Sequence, residues 1–278
     1  MKPIRSLLIA NRSEISIRVM RAAAEMGIRT VSIYSNEDRF ALHRFKADES
    51  YLVGEGKKPL AAYLDIEDIL RIAREARVDA IHPGYGFLSE RPDFSQACRD
   101  CKIEFIGPSP EAMQALGDKV TCKKTAKENG VPVFPGSKDA IEDEEEAVKV
   151  ASQIGFPVII KASAGGGGRG MKVCHNEATL RSMLRVASQE AQAAFGNGAV
   201  FIEKYLEKAR HVEIQMLGDK HGNAVYLWER DCSLQRRHQK VIEEAPAPNI
   251  DREKFRKVCE SAAKMIKAVG YAGAATCE

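Results

Sequence analysis

The segment best equipped for chemistry is Pro157 to Val173. Val158-Ile159-Ile160 leads into Lys161, then Ala162-Ser163-Ala164, Gly165, Gly166, Gly167, Gly168, Arg169 and Gly170, before Met171 and Val173 resume an apolar pattern. Four consecutive glycines carry no Cβ, so the backbone can take positive φ and bring its N–H groups close to an anion. A lysine before the run and an arginine after it supply charge for phosphate oxygens. The flanking apolar residues predict strand, loop, strand. A flexible linker is the alternative, but a linker has no use for a lysine at the rim of two buried-looking strands. No Gly-Lys-Ser/Thr opens a helix here, which excludes a Walker loop. The stretch reads as a phosphate lid.

Other candidates are spread along the chain. Lys119 follows Gly117-Asp118 at the start of a helix, where backbone N–H groups and the helix dipole favour anions. Lys123, Lys124 and Lys127 on the same helix read mostly as a solvated face. His82-Pro83-Gly84-Tyr85-Gly86 follows a short strand, Asp79-Ala80-Ile81, at the end of a parallel sheet where sites are usually built; a histidine kept for packing is the competing account. His211, Glu213 and Gln215 alternate with Val212, Ile214 and Met216 and so share one strand face. The segment from Arg230 to Lys240 concentrates Asp231, Gln235, Arg236, Arg237 and His238, with a surface charge run as its alternative.

The elements that must position these residues follow from periodicity. Arg5 to Ala10 predicts a strand, Glu14 to Met26 a helix capped by Ser13, and Thr30 to Tyr34 a second strand. That βαβ opening implies a parallel sheet, yet it lacks the G-x-G-x-x-G of a dinucleotide site. A strand around Ser50 to Val53, a helix over Asp65 to Ala76, a strand over Ile103 to Gly107 and a helix over Pro108 to Leu116 continue the pattern. Gly130-Val131-Pro132-Val133 marks a break. After the glycine run come a helix over Asn176 to Phe195, a strand from Ala199 to Ile202, and a hairpin of 211–216 with 224–229. Strand character at 241–244 and a helix from Asp251 to Val269 follow.

With 278 residues, 44% hydrophobic and 29% charged, the chain is long enough for about two domains. A net charge of +3 from 42 basic and 39 acidic residues argues against a nucleic-acid footprint. No apolar run reaches membrane-spanning length, and the N-terminal apolar stretch is too short for a signal peptide. Seven scattered cysteines with one isolated C-x-x-C at Cys98 and Cys101 fit reduced thiols in a cytoplasmic compartment better than a zinc site.

Taken together, these marks resemble the biotin carboxylase component of biotin-dependent carboxylases. They are Leu8-Ile9-Ala10-Asn11-Arg12, His82-Pro83-Gly84-Tyr85-Gly86, Gly117-Asp118-Lys119, Lys161-Ala162 with the glycine run, Arg210-His211-Val212-Glu213 and Glu229-Arg230-Asp231-Cys232-Ser233. The resemblance covers the whole chain, and Leu42 to Ser50 looks most like the pyruvate carboxylase branch, with acetyl-CoA and propionyl-CoA carboxylases as alternatives. It implies an α/β fold: a Rossmann-like domain over 1–117, then an ATP-grasp domain over 118–278 with its lid at about 133–204 and an incomplete platform. By the same resemblance Lys119, Lys161 and Gly165 to Gly168 (Gly166 and Gly167 included) hold the phosphates of ATP, and Glu203, Lys204 and Leu206 recognise adenine. His211, Gln235 and His238 line the pocket, Lys240 approaches bicarbonate, and Glu278 binds Mg²⁺, for which Mn²⁺ can substitute. Lys240 and His238 are the implied catalytic pair. Biotin is implied as a substrate carried on another domain or chain, in an enzyme that forms homo-oligomers.

The sequence stops at Glu278, before the family's second metal-binding carboxylate and before the arginines that hold bicarbonate and the biotin enolate. It also lacks the Met-Lys-Met of a biotin attachment site. The expectation is therefore an N-terminal part, or a truncated relative, that binds ATP but turns over poorly. A carbamoyl-phosphate synthetase type of ligase and a non-enzymatic ATP-binding assembly module are the rival readings.

Overall fold

A computed structural model describes residues 3–117, 119–141, 143–163, 171–236 and 239–278. The chain divides into two compact units: Met1–Gln114 with Tyr271–Gly273, and Ala115–Gly270 with Ala274–Glu278.

The first unit contains β1 (Ser6–Ile9), α1 (Ser13–Glu25), β2 (Arg29–Tyr34), α2 (Leu42–Lys46), β3 (Glu49–Leu52), α3 (Pro59–Tyr63), α4 (Ile66–Glu75), β4 (Ala80–His82), α5 (Pro92–Asp100), β5 (Glu104–Phe105) and the start of α6 (Pro110–Gly117). Its strands form one parallel sheet in the order β3-β2-β1-β4-β5. Side chains alternate across it: Leu8, Val31, Ile33 and Ile81 face a core shared with Tyr63, Ile69, Ile72 and Phe94. Leu7, Ile9 and Ala80 face Val19, Met20 and Ala23 of α1. Both faces of the central strand β1 are covered, which is why Leu7, Leu8 and Ile9 are apolar in succession.

Ser13 does not cap α1. Its φ is +56° and it is itself the first helical residue. Arg12 holds the cap position without a side-chain cap bond, since a guanidinium has no acceptor for the first-turn N–H groups; it donates instead to Asp38 at 2.5 and 2.6 Å.

The second unit contains α7 (Lys119–Glu128), α8 (Glu144–Ile154), β6 (Val158–Ala162), β7 (Lys172–Cys174), α9 (Glu177–Phe195), β8 (Val200–Lys204), β9 (Val212–Gly218), β10 (Ala224–Arg236), β11 (Gln239–Glu244), α10 (Arg252–Ala268) and most of β12 (Gly273–Cys277). A three-stranded antiparallel sheet, β7-β6-β8, joins the two strands that flank the glycine run. Val158, Ile160, Val200 and Ile202 pack against Ala147 and Ala151 of α8 and Leu180, Leu184 and Ala187 of α9. Asp143 and Asn176 cap those helices with their side chains. The acidic start of α8 pairs with Arg181 and Arg185 of α9 through Glu144 and Glu145. A four-stranded sheet, β11-β10-β9-β12, has α10 against β9 and β10. The last strand is therefore paired. Among the described residues no helix is long and apolar enough to cross a membrane, and none of the seven cysteines forms a disulfide.

Candidate active site

Two clusters of charge in the second unit gather Lys161 with Glu203, and His211, Gln235 and Lys240 with Glu278. The first lies where β6, β8 and α7 meet. The antiparallel register sets Lys161 opposite Phe201 and Ile159 opposite Glu203, so Lys161 and Glu203 share a face on a diagonal. Lys161 Nζ donates to Glu203 Oε2 at 2.6 Å, and Lys123 Nζ lies 2.8 Å from the other carboxylate oxygen. Glu203 is only 7% exposed. Burial pushes its carboxyl up, but Lys123 and Lys161 together outweigh that and hold it below the ordinary range. Lys123 also sits 5.7 Å above the Phe201 ring. Gly136 lies alongside: a Cβ there would come within 2.5 Å of the Ile202 carbonyl oxygen and 3.0 Å of Lys123 Nζ.

The neighbouring predicted residues behave differently. Lys204 Nζ donates to the carbonyls of Gly155 and Phe156, both at 3.0 Å. Its ammonium therefore ties the end of β8 to the turn before β6. Leu206, two residues past β8, is exposed. Lys119 begins α7 as expected; the position of its side chain lies outside the described structure, as do Gly165 to Gly168 and His238.

The second cluster lies on the four-stranded sheet. Arg230 on β10 is the register partner of Glu213 on β9. It donates to Glu213 Oε1 at 2.8 Å through Nε and to Gln215 Oε1 at 2.8 Å through Nη1. Lys240 on β11 donates to Glu213 Oε2 and, at 2.8 Å, to Glu278 Oε1 just past β12. His211 Nε2 lies 3.5 Å from Glu278 Oε1 and 4.0 Å from Glu213 Oε2. Gln235 is the register partner of Lys240, and its amide donates to the Cys232 carbonyl at 2.9 Å. Glu213 is 1% exposed; burial opposes its ionisation, and Lys240 and Arg230 more than restore it, so its pKa is lowered. Burial likewise opposes the charge on Lys240, but Glu213 and Glu278 raise its pKa well above that of an ordinary lysine.

Chemically, this is a fixed row of donors. Three strands and the terminus deliver two cations and two carboxylates to one place, with each charge compensated. One oxygen or nitrogen from each of His211, Glu213 and Glu278 falls within 4.8 Å of the others. Mg²⁺ requires oxygen donors. Glu278, whose side chain is 54% exposed, fits that requirement, whereas both oxygens of Glu213 already accept from cations.

Sequence reasoning assigns no specific role to Lys123 or Glu213. Glu213 had a legible signal, the alternation that put it between His211 and Gln215. Lys123 had none, since its partner is 80 residues away in sequence. In the first unit, His82 serves the local loop: its Nδ1 accepts from Gly84 N at 3.0 Å, and Asn11 Nδ2 donates to the carbonyls of Pro83 and Tyr85 at 2.8 Å each.

Residues 3–113 match the family described as biotin carboxylase, N-terminal domain, and residues 118–278 match carbamoyl-phosphate synthase L chain, ATP binding domain. The chain belongs to the biotin carboxylase family. Its parallel N-terminal sheet and two antiparallel sheets are the ATP-grasp arrangement of biotin carboxylase domains. It is 53% identical to mitochondrial pyruvate carboxylase of Rattus norvegicus, over 100% of this chain and 24% of that protein. It is 50% identical to biotin carboxylase 1 of Bacillus subtilis (strain 168), over 99% of this chain and 61% of that one. The biotin carboxylase domain dimer of Hydrogenobacter thermophilus 2-oxoglutarate carboxylase, solved with MgADP, ADP and bicarbonate, is similar at a TM-score of 0.94 and 45% identity. That match covers 99% of this chain and 60% of that one. The chain thus spans about a quarter of the pyruvate carboxylase and about three fifths of the biotin carboxylase.

Proposed function

We propose that this chain binds ATP and bicarbonate for the ATP-dependent carboxylation of biotin, as the biotin carboxylase part of a pyruvate carboxylase-like enzyme. The observation that carries the reading is the setting of Lys240, an ammonium suspended between buried Glu213 and half-exposed Glu278. Bicarbonate is a weak nucleophile and needs a cation to hold it while the phosphoryl group arrives. In the proposed step a bicarbonate oxygen forms a bond to the γ-phosphorus as the bond to the β,γ-bridging oxygen breaks. ADP leaves, and the resulting carboxyphosphate yields CO₂ and phosphate beside biotin; the released phosphate takes the ureido N–H proton as that nitrogen takes the CO₂. Charge spreads over the transferred oxygens, so positioning and cations do most of the catalysis.

Each residue has a part in this. Lys161 turns from Glu203 to a phosphate oxygen, and Lys123 keeps the buried carboxylate paired when it does. Lys119 at the start of α7 and Gly165 to Gly168 complete the phosphate cradle. The β8 end, Glu203 to Leu206, takes the adenine, while His211, Gln235 and His238 line the pocket. Glu278 is the donor that fits Mg²⁺, which when bound neutralises charge on the β- and γ-phosphates. We assign 1–117 to the N-terminal domain and 118–278 to the ATP-grasp domain with its lid at about 133–204, supported by the two family matches at 3–113 and 118–278. Biotin comes on a separate carrier domain, the full enzyme is a homo-oligomer, and the thiols suit the reducing cytoplasm.

Calorimetry with MgADP on the 278-residue chain tests this reading. Saturable binding that Lys161→Met weakens at least tenfold is expected. Absence of nucleotide binding by the folded chain, or an unchanged affinity in the variant, would refute it.

A further inference from the structure

The backbone that carries Glu203 is held along both edges. On one side β8 pairs with β6. On the other, Gly136 bridges to Glu203, Lys204 N donates to the Pro135 carbonyl at 2.9 Å, and Ser137 N donates to the Ile202 carbonyl at 2.8 Å. The carboxylate is therefore fixed in a buried place. Among the described residues the cations that face it are Lys123 from α7 and Lys161 from β6, and Pro135 to Ser137 bring no ionisable group.

The two cations differ in what surrounds them. Lys123 Nζ is buried, set over the Phe201 ring and close against Gly136, in the interior of the unit. Lys161 stands near the end of β6, the strand that leads into the glycine run, and pairs with Glu203 alone among the described residues. It is also the cation that the nucleotide reading sends to a phosphate. A buried carboxylate stays ionised beside a counter-charge and takes up a proton without one. Departure of Lys161 thus leaves the state of Glu203 to Lys123.

We propose that Lys123 is a positioning residue for nucleotide binding: it stays with Glu203 as a resident counter-ion, so that Lys161 can move to a phosphate oxygen without Glu203 taking a proton from solvent. This rests on the reading above in which Lys161 meets ATP. Without Lys123, binding and protonation become one event, and affinity falls as pH rises until Glu203 is ionised in the complex as well.

Calorimetry with MgADP in buffers of different ionisation enthalpy counts the protons taken up. Relative to the parent chain, Lys123→Met should take up an additional part of a proton. It should bind about tenfold more weakly at about pH 8, as one pKa unit of coupling requires, with the gap narrowing toward about pH 6. Lys123→Gln, which keeps a donor without the charge, is the second variant for the same measurements. In a Glu203→Gln background no carboxylate needs a counter-charge, so Lys123→Met should change affinity less than about twofold and add no proton uptake. A role in packing alone would weaken binding in both backgrounds and leave the proton count unchanged. An unchanged proton count, a gap independent of pH, or equal losses in the two backgrounds would overturn the proposal. Absence of MgADP binding by the parent, or unchanged affinity in Lys161→Met, would instead refute the nucleotide reading and take this inference with it.

Discussion

Replacing Lys123 with methionine isolates the contribution of one cation to a buried carboxylate. Glu203 is shared by Lys123 at 2.8 Å and Lys161 at 2.6 Å, so the variant leaves Glu203 with one cationic partner instead of two. Taking away one of two cations that offset a buried carboxylate costs on the order of 1–3 kcal/mol. Lys123 is 24% exposed along its side chain and methionine keeps most of its packing, so the expected loss is roughly 1–2 kcal/mol after screening. For a unit of this size each kcal/mol moves the melting temperature by about 2–4 °C, which predicts a drop of about 5 °C at neutral pH. The pH dependence sharpens the test. Glu203 has its pKa lowered from 4.5 on folding, against burial and because of Lys123 and Lys161. A depressed carboxylate stabilises the fold fully above its unfolded value and loses that contribution as pH falls through the folded one. Without Lys123 the folded pKa lies higher, so the gap between variant and parent must close as pH is lowered through the interval between the two. Thermal melts monitored by circular dichroism from neutral pH down through the carboxylate range would measure it. An unchanged melting temperature at neutral pH, or a gap that stays constant on acidification, would refute the reasoning.

Two further outcomes follow from the loop after β4. Burial lowers the pKa of His82 from 6.5, and its Nδ1 must stay unprotonated to accept from Gly84 N; the imidazole should titrate below 6.5 by NMR. Stability from this group is present above 6.5 and lost as pH falls, and a measured pKa above 6.5 would contradict the account. Gly84→Ala should cost roughly 2–4 kcal/mol in a denaturant melt, since left-handed backbone strain adds to displaced hydrogen bonds. The φ there is +66° and the new Cβ would lie 2.6 Å from Asn11 Nδ2, the amide that ties Pro83 and Tyr85 in place. A loss under about 0.5 kcal/mol, the range of an ordinary surface substitution, would show that the loop can relax.

The sequence by itself determined the parallel N-terminal sheet, the two strands around the glycine run and the helices with their apolar stripes. Each of these rests on periodicity or on local caps such as Asp143 and Asn176. It also placed His211, Glu213 and Gln215 on one face, because side chains alternate along any strand. Its motifs, among them His82 to Gly86 and Glu229 to Ser233, also carry the resemblance to the biotin carboxylase family. The cap expected at Ser13 does not form, and the Arg12–Asp38 pair at that turn joins residues 26 apart in sequence. Only the tertiary structure decided which charges meet. Lys123 looked like part of a solvated face, yet its ammonium reaches Glu203 on β8. Lys240 and Glu278 are 38 residues apart and share an ion pair. Glu213 lies in a pattern that reads as half-exposed, and Arg230 and Lys240 from the neighbouring strands are what let it be buried and ionised. A buried carboxylate needs its counter-charges close by, and where those come from depends on strand order and register, which local periodicity does not encode.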